Sequence, residues 1–173
     1  MTYRAVLKNL LMTACLLGAT GCATTGSKGP VLRIDTSDDQ QATREISGFL
    51  KDNGYALGQT SDEWFTMSVS DTTYIFQPKC LEQGLDRLVV RIYWGVKDDY
   101  KGTDDIKNLV ARLNADMNIG QFSLDEDGDL VYISSLTYTD RLELEEVQQY
   151  LDWSQTSLLG LVISAPELLE YLE

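Results

Sequence analysis

The stretch GQFSLDEDGDLVYISSL, Gly120 to Leu136, governs how the rest of the chain is read. Two runs rich in aromatic and β-branched residues flank an acidic turn, and Asp127-Gly128 is a strong short-hairpin signal. Phe122 and Leu124 before the turn, with Val131 and Ile133 after it, are expected to line a common face. The same turn gathers Asp125, Asp127 and Asp129, whose oxygens are the ones a calcium ion would use. An EF-hand loop wants glycine at its sixth place and glutamate at its twelfth. Counted from Asp125 those places hold Leu130 and Leu136, so a solvated turn with no metal is expected.

Helical patterns lie on both sides of the hairpin. Upstream, DDIKNLVARLNADMN places Ile106, Leu109, Val110, Leu113 and Met117 on one stripe, with Thr103 or Asp104 as cap. Downstream, a helix begins near Leu142, and Leu144, Val147, Leu151, Ser154, Leu158, Leu161 and Val162 mark its buried side. Ser164, Pro166 and Glu167 read as the start of a final short helix. Nearer the amino terminus, Ser37 to Asn53 carries a first helix. Ser37 and Gln40 are spaced as a capping box, Ala42, Ile46, Phe49 and Leu50 form the stripe, and Asn53-Gly54 ends it. Between the first two helices, Tyr55 to Val96 is β-rich. EWFTMSVSD alternates, with Trp64, Thr66, Ser68 and Ser70 on one side and Phe65, Met67 and Val69 on the other; TTYIFQP and DRLVVRIYWGV are β-branched and aromatic, and a short extra piece is expected at Tyr55–Gln59. The order is α–β–β–β–α–β–β–α, an α+β domain with helices packed on an antiparallel sheet.

The first residues read differently. Arg4 and Lys8 precede the apolar run LLMTACLL, and small residues follow it, as in a secretory signal. The run is far shorter than the ~20 residues a membrane-spanning helix needs. ATGC, Ala19 to Cys22, resembles the bacterial lipobox, although leucine is usual where Ala19 stands. That resemblance implies cleavage before Cys22 and lipid on its sulfur and amine, palmitate included. Ala23, rather than aspartate, after the lipidated cysteine implies the outer membrane, facing the periplasm. The domain plan is therefore a signal peptide at 1–21, a flexible tether at 22–35 and one domain at 36–173.

Composition narrows the chemistry. The net charge is −13, and it becomes −15 without Arg4 and Lys8, a surface that repels nucleic acid and anionic headgroups. The chain has no histidine, so a Ser–His–Asp triad, a Cys–His pair and a histidine metal cluster are all excluded. With Cys15 in the leader and Cys22 lipidated, Cys80 stands alone and reads as an inert thiol. Carboxylate pairs (Asp98 with Asp99, Asp104 with Asp105, and Glu143, Glu145 and Glu146) fit caps and solvated turns better than a hydrolase site. No catalytic residue and no cofactor is assigned. Tyr150 and Trp153, at i and i+3, form an aromatic flank suited to a protein partner.

From about Thr36 to Val162 the chain resembles the YbjN family of bacterial domains. The residues that carry this are LVARLNADMNIGQFSLDEDGDLVYISSLTYTDRLELEEVQQYLDW, with FLKDNGYALGQTSDEWFTMSVSDTTYIF before it. The resemblance implies a fold like that of type III secretion chaperones, often dimeric, holding polypeptide ligands, without enzyme activity. Members are described as sensory-transduction regulators. The resulting expectation is a lipid-anchored, non-catalytic envelope protein that binds a protein or peptide. A homodimeric assembly factor is the alternative, and a carboxylate-based hydrolase a more distant one.

Overall fold

The first helix, α1, spans Asp39–Asp52 and starts one residue later than the spacing of Ser37 and Gln40 suggests. Its cap is Asp38, which accepts from the N–H groups of Gln40 and Gln41 at 2.8 and 3.1 Å. A carboxylate is the stronger acceptor at the positive end of a helix, so it displaces the serine. Ala42, Ile46 and Leu50 are fully buried, as the stripe predicts, and Asn53 with Gly54 ends the helix. The computed structural model describes residues 29–81 and 85–173; the expected leader at 1–21, Cys22 and residues 23–28 lie outside them.

Six strands form one antiparallel sheet: β2 (Leu57–Thr60), β3 (Phe65–Val69), β4 (Thr72–Lys79), β5 (Asp86–Trp94), β6 (Gln121–Leu124) and β7 (Leu130–Tyr138). Their order is β2-β3-β4-β5-β7-β6. The first four make the expected meander, with β2 as the extra piece. The hairpin β6–β7 then docks by its second arm, so β7 pairs with β5 over nine positions and short β6 is left at the edge. Between β5 and β6 run a 3-10 turn at Asp98–Tyr100 and the helix α2, Asp104–Asp116, capped by Thr103.

Alternation divides the sheet sharply. Phe65, Met67, Tyr74, Phe76, Leu88, Val90, Ile92, Leu130 and Tyr132 point to one face and are at most 2 % exposed. That face meets α1, α2 through Ile106, Leu109 and Leu113, and the long helix α3 (Leu144–Ser164) through Val147, Leu151 and Leu161 in a single core. Ile75, Val89, Ile133 and Tyr93 point the other way and do not pack against it. One face on helices and one toward solvent is the usual arrangement for an antiparallel sheet.

The hairpin register corrects the expectation for Val131 and Ile133. Asp125 and Asp129 close the turn, which leaves a three-residue loop, Glu126–Gly128, with Gly128 at φ +80°. A two-residue turn at Asp127-Gly128 would have paired Leu124 with Val131. The extra residue pairs Leu124 with Leu130 and Phe122 with Tyr132. Val131 and Ile133 thus turn to the opposite face, as any one-residue register change requires.

Two further elements lie where a tether or helix was expected. Val31–Arg33 forms β1, paired with β8 at Arg141–Glu143. Ile34 is 2 % exposed, so residues 31–34 of the expected 22–35 tether belong to the folded body. Leu32 and Ile34 fall on one side of the strand, with Arg33 between them, and burying them outweighs chain freedom. α3 accordingly begins at Leu144, with Glu143 and Glu146 as its capping box. Ser164 ends α3, bonding back to the Leu161 carbonyl, and does not cap the last helix, α4, which is one turn at Leu168–Tyr171. No helix among the described residues is long and apolar enough to cross a membrane.

Candidate functional site

β7 is fully paired with β5 on one side, but β6 covers only Leu130–Ile133 on the other. From Ser134 to Tyr138 its outer edge has no strand partner among the described residues. At that edge a groove of about 410 Å³ opens, bounded by Val89, Ile133 and Ser135 of the sheet, Ile119 and Gly120 of the loop before β6, and Tyr150 and Trp153 of α3. Gly120 sits at φ +74°, and a Cβ there would fall 2.6 Å from the Ile133 carbonyl oxygen. Only glycine allows the loop so close to β7, and that approach shapes the wall of the groove.

Tyr150 and Trp153 therefore meet at one place, but not as a common exposed flank. Three residues along a helix leave about 60° between side chains. That angle turns Tyr150 into the core at 8 % exposure and leaves Trp153 at 42 %. The Tyr150 hydroxyl bonds the Ser134 hydroxyl, and burial pushes its pKa upward. Tyr150 is a structural strut beneath the groove, and Trp153 is the exposed aromatic. Tyr74, Tyr132 and Ser154 extend this hydroxyl-rich layer under α3, and burial raises both of those tyrosines too. Sequence reading missed the layer, because serine at a buried stripe position was its only signal.

The acidic hairpin is occupied by its own backbone and its neighbours. Asp125 accepts from the N–H groups of Asp127 and Asp129 at 3.0 and 2.9 Å. Asp129 accepts from the Val96 N–H at 3.0 Å and pairs with Lys101 at 2.8 Å. Lys101, then the Val96 amide, hold its pKa below the usual carboxylate value. Asp127 is exposed. Among the described residues no group of three metal-binding side chains converges. Asp125 closes the turn, and Asp129 clamps the hairpin to Val96, just past β5, and to Lys101.

Cys80 follows β4 and is half-buried. Burial, together with the charges of Asp86 and Asp39, pushes its thiol up despite the nearby Tyr138 hydroxyl. A protonated thiol is a poor nucleophile. Burial also acts to raise Asp39, but Lys79 at 2.6 Å and the Cys80 N–H at 2.7 Å outweigh it and lower its pKa. Asp39, Asp129 and Glu167 are all shifted downward. A general acid at a hydrolase site needs the opposite shift.

The α+β body with this strand order has relatives of known description. The family described as "YbjN: Putative bacterial sensory transduction regulator" matches residues 43–161. The chain belongs to the YbjN family. Three solved chains match this chain. One is described as "Crystal structure of YbjN, a putative transcription regulator from E. coli"; it is 12 % identical, with a TM-score of 0.50, over 74 % of this chain and 93 % of that one. At that identity the likeness concerns the fold. No curated protein matches. The family description names a regulator, not an enzyme.

Proposed function

We propose that this YbjN-family chain is a non-catalytic module of the cell envelope. It is tethered by lipid on Cys22, to the outer membrane and facing the periplasm, and holds an extended segment of a protein partner. The observation that carries the binding part is the unpaired β7 edge beside exposed Trp153. Open edges recruit strands through main-chain hydrogen bonds, and an adjacent tryptophan supplies a large, rigid apolar contact. The lipid part rests on ATGC and on the cationic, apolar leader before it. The test is isolation of partners from detergent-solubilised membranes for wild type, Trp153→Ala and Cys22→Ala. One identified protein should be recovered with wild type and lost with Trp153→Ala. Palmitate should label wild type but not Cys22→Ala, which should leave the membrane fraction. Absence of a reproducible partner, or an unlabelled Cys22 in native material, refutes the corresponding half.

A further inference from the structure

At the opposite edge of the sheet, a larger groove of about 730 Å³ runs between α1 and β2. β2 is the terminal strand of the sheet, so among the described residues the backbone of Leu57–Thr60 has a strand neighbour on one side only. The helix wall carries Arg44, Ser47, Gly48 and Lys51, one stripe at i, i+3, i+4 and i+7. Ser47 and Gly48 keep the middle low, and a Cβ at Gly48 would meet nothing within 4 Å. Arg44 and Lys51 form no ion pair among the described residues. Among the described residues, Asp62 is the one carboxylate lining the groove. In a chain of net charge −13, a strand edge facing two unpaired cations is a local reversal of sign.

We infer that this groove takes an extended, acidic polypeptide segment, added as a strand to the free edge of β2 and lying along α1. Arg44 and Lys51 stand about 10 Å apart along the helix, from seven residues at ~1.5 Å each. A strand advances about 3.3 Å per residue, so carboxylates two to four positions apart on one face come within reach of both cations. The overall negative charge does not forbid this. At ~0.1 M salt charges beyond about 10 Å are largely screened, and those in the groove wall are not. This site is separate from the Trp153 groove.

The experiment is fluorescence anisotropy of labelled ten-residue peptides on the full chain in ~0.1 M salt. The probes are an alternating Glu/Val peptide, its Gln/Val counterpart and a Glu/Val peptide N-methylated at alternate amides. The proteins are wild type, Arg44→Glu with Lys51→Glu, Gly48→Leu and Trp153→Ala. The acidic peptide should bind wild type at least tenfold more tightly than the other two probes. The double charge reversal and Gly48→Leu should each weaken it at least tenfold, with helix content and melting retained. Trp153→Ala should leave it unchanged. Equal affinity for the Glu and Gln peptides overturns the proposal. So does indifference to N-methylation, or full binding by Gly48→Leu. Vesicles of anionic lipid that bind through Arg44 and Lys51 while the peptide does not would assign the groove to a headgroup and overturn it as well.

Discussion

Replacing Asp129 separates the clamp from a metal site. Its carboxylate, 30 % exposed, accepts from the Val96 amide and pairs with Lys101. Val96 is fully buried, so removing its acceptor strands an amide away from water. Losing a charge-assisted hydrogen bond of this kind costs about 2 kcal/mol. Asp129→Ala should therefore lower the melting temperature by roughly 5–8 °C in a domain of this size. Asp129→Asn keeps an oxygen for Val96 and loses only the ion pair at the surface, so it should account for the smaller part of that drop. The ion pair also sets a pH signature. Because the folded pKa lies below the unfolded one, its stabilisation is complete above about pH 4 and fades as pH falls through the folded value. The melting difference between wild type and Asp129→Asn should shrink on acidification. A metal role predicts something else: calcium at a hundred times its dissociation constant would stabilise the fold by about 2.7 kcal/mol. The assay is differential scanning fluorimetry with and without millimolar calcium. Equal losses for alanine and asparagine, or a calcium-dependent rise abolished by Asp129→Asn, would refute the clamp.

Other outcomes follow from the same packing. Gly48→Ala places a methyl in open space within α1 and should raise stability by about 0.5–1 kcal/mol in denaturant titration. Tyr150→Phe should lower it by about 1–3 kcal/mol, because Ser134 loses its buried partner. Leu109→Ala, at a fully buried position of α2, should cost about 2–5 kcal/mol. Asp39→Asn should destabilise near neutral pH and progressively less below about pH 4, since its depressed pKa gives a contribution that disappears with protonation.

Where local pattern decides structure, the residues were legible. The stripes of α1 and α2 and the meander alternation all survive folding, because each is a period that only one face of a helix or strand satisfies. The hairpin was legible as a hairpin but not in register. Asp-Gly at 127–128 suggests a two-residue turn, and the choice of a three-residue loop belongs to Asp125, which caps two amides from outside the dipeptide. β1 and β8 are three residues each and exist only through one another, so neither carries a run long enough to be seen alone. Both grooves depend on which strands end the sheet. That is a property of strand order, and of a β6 too short to cover β7, which no local window contains.

The ribbon of Val31–Arg33 with Arg141–Glu143 has a consequence for synthesis. The first strand of the body pairs with one about 110 residues later, so it must wait unmatched while nearly all of the chain emerges. A polypeptide leaving a ribosome amino end first cannot finish this architecture early. Completion is deferred until β8 and the start of α3 have come out.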